Sequence, residues 1–136
     1  MPNGMETSGV VFGKFLYTFG GYDPFLHQSF DTIQRYDFEK NVWEKIGHLT
    51  KSISATDVCV YKNLIFLVGS YDYEGLIQSY NPLTQEIKEI ESNMKPRKHS
   101  AAGIFQNRYL VVFGSAIKSD NAGISSQVVD LQQYFK

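Results

Sequence analysis

A single cysteine, Cys59, stands in a chain of 136 residues. One thiol excludes an internal disulfide and a zinc site built from several thiolates. Proline occurs four times and tryptophan once, and no Asn-X-Ser/Thr sequon is present. The stretch from Met1 to Gly9 is polar and lacks a basic segment leading into a long apolar one, so it does not read as a signal peptide. Apolar runs reach only five or six residues, far short of the roughly 20 that span a bilayer. Charge of either sign is also not in excess: 13 basic residues face 14 acidic ones, for a formal net charge of -1. That balance leaves no general electrostatic basis for binding nucleic acid or an anionic membrane. These absences point to a soluble, cytoplasmic protein with no nucleic-acid and no membrane partner.

What the chain does contain is apolar and aromatic. Hydrophobic residues make up 43% of it, enough for one buried core. Ten Phe, nine Tyr and one Trp, with 11 Gly, favour strands and tight turns over helices. The best helical window, Thr84 to Met94, lacks a continuous apolar stripe.

The sequence repeats itself. Apolar runs Phe15–Phe19, Leu64–Val68 and Tyr109–Phe113 each follow a short polar turn and end in a glycine, Gly20, Gly69 or Gly114. These glycines are 49 and 45 residues apart. The segment from Tyr36 to Ile46 superposes without gaps on Tyr80 to Ile90, at a constant shift of 44. Continuous rather than alternating apolar character predicts strands buried on both faces. A second strand is expected before each run, at Gly9–Phe12, Thr56–Tyr61 and Ser100–Phe105, and a hairpin after it. Four short strands per unit of about 45 residues match the period of a propeller blade.

Particular positions in the repeat have physical reasons. A glycine ending a buried strand allows a positive φ or a close backbone approach that a Cβ would block. Asp37 and Asn81 suit the first position of a turn, where the side chain can accept backbone N–H groups two residues on. Trp43, seven residues after Tyr36, is expected to cross the hairpin and cover apolar surface. Ile87 takes its place in the second unit with less area.

Together these motifs resemble kelch repeats. Gly20-Gly21, Tyr36-Asp37 and Trp43 match the family pattern of a Gly-Gly doublet, a Tyr-Asp pair and a following Trp. The second repeat keeps Gly69, Tyr80-Asn81-Pro82 and Thr84, with Ser70 and Ile87 as departures. The third keeps Gly114-Ser115 and has Val129-Asp130 in place of Tyr-Asp. Met94 to Ser100, with Pro96-Arg97 and His99-Ser100, is similar to the family's link between blades. The resemblance implies an all-β fold, a partial kelch-type β-propeller of about three four-stranded antiparallel blades. Blade 1 is expected over about 8–46, blade 2 over about 54–90 and blade 3 over about 99–136, after a disordered tail at 1–7. The last blade is expected to be incomplete, its outer strand absent or only begun at Tyr134-Phe135.

Strand parity in such a blade places the loop after the second strand on the same face as the link to the next blade. The candidates there are Tyr22, Asp23, Phe25 and His27; Tyr71, Asp72 and Tyr73; Arg97 and His99; and Lys118 and Asp120. Kelch proteins generally bind partner proteins through such a face, so the resemblance implies a protein partner. Lys95-Pro96-Arg97-Lys98 fits a solvated turn better than a phosphate-binding patch. Asp120-Asn121-Ala122-Gly123 lacks the spacing and closing Glu of a calcium loop, so no metal and no cofactor is expected.

Catalysis has little support. His27, His48 and His99 fall in separate loops without the spacing of a metal triad or nucleophile–base pair. There is no Gly-X-Ser-X-Gly and no phosphate-binding Gly-rich loop, and Gly20-Gly21 does not open a helix. Cys59, between Val58 and Val60, reads as a small buried apolar residue. The favoured function is a non-catalytic protein-binding module or scaffold; the alternative is part of a kelch-propeller enzyme acting on a sugar or small molecule. A ubiquitin-ligase adaptor would carry a BTB, BACK or F-box segment, and none precedes Gly9. A repeat of about 47 residues gives just under three blades, fewer than the four to eight of typical closed propellers. Closure would therefore need self-association or additional blades.

Overall fold

The computed structural model describes residues 6–96, 99–114 and 126–135. The chain divides into two compact units, one ending at Ala55 and the other beginning at Thr56. Both are built from antiparallel strands, and among the described residues the only helical element is a short 3-10 turn, Leu131–Gln133. The fold is all-β.

The first unit holds β1 (Ser8–Phe12), β2 (Phe15–Phe19), β3 (Tyr22–Asp23), β4 (Gln28–Asp37) and β5 (Val42–Ile53). β1, β2, β4 and β5 lie side by side in that order, and the short β3 pairs with the start of β4. The interior contains Tyr17, Phe19, Ile33, Leu49 and Ile53. β5 is longer than the hairpin motif suggests: it continues past Ile46 through the segment read as a link, to Ile53. Two register shifts against β4, between Phe30 and Thr32 and between Ile33 and Gln34, let it bend while staying paired. Thr7, assigned to a disordered tail, donates its hydroxyl toward the carbonyls of Phe19 and Gly20 at 3.1 and 3.2 Å. The tail residues before Glu6 lie outside the described residues.

The second unit contains two sheets. β6 (Asp57–Tyr61), β7 (Leu64–Val68), β8 (Ile77–Tyr80) and β9 (Ile87–Glu89) form a four-stranded up-and-down sheet. β10 (Ala101–Phe105), β11 (Tyr109–Phe113) and β12 (Ser126–Asp130) form a three-stranded one. They share an apolar core of Tyr61, Phe66, Val68 and Ile77 with Leu110, Val112, Val129 and Leu131. Asp57 accepts the Ala102 N–H, tying β6 to β10.

β7 and β8 are buried along nearly their whole length, as continuous apolar strands should be. β11 departs from that expectation. Leu110 and Val112 are buried, but Val111 is half-buried and Phe113 is 52% exposed. The last sheet is incomplete, as expected: among the described residues it has three strands and no outer one, and the chain after Asp130 turns in the 3-10 segment. Phe135 then packs its ring 5.6 Å from Phe66 and 6.4 Å from Tyr61.

Candidate functional site

The repeat positions set the frame on which the loops stand. Gly20, Gly69 and Gly114 all have positive φ, at 57°, 70° and 68°. At Gly20 a Cβ would strike the Ile53 carbonyl and come within 2.9 Å of the Phe30 carbonyl, so only glycine fits between these two strands. Gly21 donates to the Ile53 carbonyl and accepts from the Phe30 N–H, both at 2.9 Å, which closes the base of the β3–β4 hairpin. Tyr36 and Trp43 are cross-strand partners with ring centroids 5.3 Å apart. Tyr80 and Ile87 occupy the same register in the second sheet.

The turns are equally repetitive. Asp37 Oδ1 accepts the N–H groups of Glu39 and Lys40 at 2.9 and 3.1 Å. Asn81 Oδ1 accepts those of Leu83 and Thr84 at 2.9 and 3.3 Å. Asp130 Oδ1 accepts the Gln132 N–H at 3.1 Å and caps the 3-10 turn. Asp130 is also held by the Arg108 guanidinium, with Oδ2 2.5 Å from one terminal nitrogen.

The expected loop residues that the structure describes fall in two places, one in each unit. The first is the tip between β3 and β4, where the sequence suggests an open loop and the structure has a paired hairpin. Asp23 Oδ1 accepts the N–H groups of Phe25 and Leu26 at 2.8 and 3.1 Å. This Asx turn spends the local polar capacity inward and leaves two apolar side chains outward, with Phe25 82% and Leu26 65% exposed. His27 completes the reversal at a positive φ of 49°. The Tyr22 hydroxyl lies 3.3 Å from His27 Nδ1, bracing the two sides of the tip. Below it, His48 Nδ1 is 2.9 Å from Asp31 Oδ1.

The second place is the β7–β8 loop. Gly69 donates to the Leu76 carbonyl and Leu76 to the Tyr73 carbonyl, at 2.8 and 3.0 Å, so the loop is closed at its neck. Tyr71, Asp72 and Tyr73 are exposed at its end. His99 stands with its ring 5.9 Å from that of Tyr71, edge to face. The structure thus joins Tyr71 to His99 and Tyr22 to His27, pairs far apart or merely near in sequence. Arg97, Lys118 and Asp120 lie outside the described residues.

Two participants are not evident from the motifs. Leu26 is as much a part of the first tip as Phe25, and the Asp-Pro pair just before them is the signal for a turn that presents both. Gln127 is the second. Its Oε1 accepts the Lys95 N–H at 2.8 Å and its Nε2 donates to the Asn93 carbonyl at 2.7 Å. A glutamine recurs two residues before Tyr36 and Tyr80, as Gln34 and Gln78, and both are buried.

Among the described residues no cluster of three metal-ligating side chains occurs. The Cys59 thiol is pushed up to about 12, first by burial and then by the charge of Asp57. It therefore stays protonated at neutral pH and is a poor nucleophile. No helix among the described residues is long and apolar enough to cross a membrane.

A family model for the kelch motif matches residues 6–50, the span that holds the glycine doublet, the Tyr36–Trp43 pair and the first tip. That span carries a kelch motif. The three antiparallel sheets are consistent with partial kelch propeller blades, numbered blade 1 in the first unit and blades 2 and 3 in the second. Curated relatives extend the likeness beyond the first repeat. The chain is 28% identical over 109 residues to Kelch-like ECH-associated protein 1A of Danio rerio, covering 75% of this chain and 18% of that one. It is 27% identical over 111 residues to Kelch-like protein 23 of Homo sapiens, covering 77% and 20%. Kelch-like protein 38 of Danio rerio is 25% identical over 104 residues, covering 76% and 17%. The chain spans about a fifth or less of the length of these relatives.

Proposed function

We propose that this chain is a non-catalytic protein-binding module that recognises its partner through the exposed loop tips. The observation that carries this reading is the Asp23 turn. It forms the tip of a braced hairpin on which Phe25 and Leu26 are exposed. A pre-formed apolar anchor loses little conformational entropy on docking, which suits a residue at the centre of an interface. Tyr71, Tyr73 and His99 supply a second patch of the aromatic types that anchor complexes. One relative carries "ECH-associated" in its name, which agrees with a binding role. The module needs no cofactor and acts in the cytoplasm as a scaffold.

The test is a comparative pull-down from cell extract, with the chain and its Phe25→Ala/Leu26→Ala variant immobilised at equal density. We expect a stoichiometric partner on the native chain, reduced at least tenfold on the variant, with unchanged melting temperature. Equal recovery on both would remove the tip from the interface. Stabilisation of the chain by a carbohydrate, with no recoverable protein, would favour a sugar-processing role instead.

A further inference from the structure

An open cavity of about 500 Å³ lies in the second unit, lined by Lys62, Arg108, Asp130, Gln132, Gln133 and Phe135. Lys62 belongs to the β6–β7 turn, at the end of blade 2 opposite the β7–β8 loop, so the cavity is separate from that loop tip. Its charges do not balance. The Asp130 carboxylate is taken by Arg108, with Oδ1 3.1 Å from Nε and Oδ2 2.5 Å from one terminal nitrogen. The second terminal nitrogen of Arg108 stands outside that pair. Lys62 has no carboxylate partner among the described residues, and its ammonium rests 5.1 Å from the centre of the Tyr61 ring. Two cations against one carboxylate leave the cavity with one surplus positive charge.

Blade 1 handles the same position differently. Its β1–β2 turn also carries a cation, Lys14, but Glu39 lies 2.7 Å away and neutralises it. In the repeat Asp130 takes the place of Asp37, so Gln132, two residues on, stands where Glu39 does. An amide there keeps a donor and an acceptor but gives up the neutralising charge. Gln133 adds a second amide, and the Phe135 ring an apolar wall. Behind Phe135, with ring centroids 6.4 Å apart, is Tyr61. Its hydroxyl is buried, makes no hydrogen bond among the described residues and stands within electrostatic range of Arg108. A buried hydroxyl without a partner is uncommon in a folded chain, and an anion held at Arg108 brings an acceptor oxygen into its neighbourhood.

We propose that this cavity binds a small organic monocarboxylate carrying a flat ring. The single negative charge answers the single surplus positive one, through Lys62 and the remaining terminal nitrogen of Arg108. The amides of Gln132 and Gln133 serve the polar margin, and Phe135 receives the ring. A dianion such as a phosphate ester would keep an uncompensated charge beside Asp130, and a neutral ring would leave Lys62 unanswered. The site is independent of whether the loop tips bind a protein.

Benzoate, titrated into the 136-residue chain and followed by backbone amide chemical shifts, tests the assignment. We expect saturable shifts centred on Lys62, Arg108, Gln132 and Phe135, half complete at about 1 mM. Benzamide, the neutral molecule of the same shape, should bind roughly tenfold more weakly, and inorganic phosphate should also bind more weakly than benzoate. Lys62→Gln should weaken benzoate binding roughly fivefold. Gln132→Glu restores the arrangement of blade 1 and should abolish saturation. Both positions are exposed, so circular dichroism should show the fold retained in each variant. Benzamide binding as well as benzoate overturns the proposal, as does benzoate binding that neither substitution weakens. So does the lack of saturable shifts at these four residues up to about 20 mM, far above the expected midpoint.

Discussion

The side-chain amide of Gln127 accepts the backbone N–H of Lys95 at 2.8 Å across 32 residues of sequence. With the return bond from Nε2 to the Asn93 carbonyl, a residue of β12 holds the segment that leads into blade 3. The amide is suited to this task because it offers one donor and one acceptor in a fixed plane.

Gln127→Ala should release that segment without disturbing the sheet. Both freed backbone groups lie near the surface, so water replaces part of what is lost and the cost should be about 1 kcal/mol. Amide exchange measured residue by residue should accelerate at Lys95 while Leu110 and Val112 stay protected. Unchanged protection at Lys95 would show that the segment is held by something else.

Gly20 and Gly13 have nearly the same φ, 57° and 60°, but different surroundings. Alanine at Gly13 meets no atom within 4 Å, so only the left-handed backbone resists it, at about 1 kcal/mol. Alanine at Gly20 would face the Ile53 and Phe30 carbonyls, which belong to paired strands and cannot retreat. We expect Gly20→Ala to cost at least about 3 kcal/mol. Chemical denaturation of both variants should separate them clearly; similar midpoints would mean that β5 yields at Ile53.

Asp130 links stability to acid. The hydrogen-bonded Arg108 guanidinium holds its carboxyl below the ordinary range, against the opposing effect of burial, with the Gln132 N–H assisting. A depressed folded value means that the stabilisation is complete above the unfolded value of about 3.9 and is lost as pH falls through the folded one. Asp130→Asn keeps a turn-capping oxygen but has no charge to lose. Its stability should therefore fall less steeply below about pH 4 than that of the native chain, as followed by circular dichroism through an acid titration. Parallel acid limbs in the two proteins would show that the Arg108 pair contributes nothing.

Much of the architecture was legible before the structure. The runs Phe15–Phe19, Leu64–Val68 and Tyr109–Phe113 are strands with the expected ends, since apolar stretches of that length between polar turns have few other uses. The shift of 44 carries over into register: Tyr36 faces Trp43 as Tyr80 faces Ile87. The turns at Asp37 and Asn81 close as their short polar side chains suggest. The candidate site was legible only in part. Phe25 and His27 stood out by type, but the Asp23 bonds that aim the tip depend on the actual path of the chain. Leu26 had no signal other than the turn that exposes it.

The sequence by itself determined the repeat, the all-β class and the places where the backbone must turn, because all three follow from local pattern. Alternation of apolar runs with polar turns selects strands, and a positive φ selects glycine. Tertiary structure alone decided which apolar residues are covered. Phe66 and Phe113 lie in equivalent β-strands, yet one is buried and the other half exposed. Burial belongs to the neighbour and not to the residue, so no reading of β11 by itself could have shown that its outer face stands open. The extra length of β5, the clasp of Gln127 and the return of Phe135 to the core arise in the same way, from contacts between segments far apart in the chain.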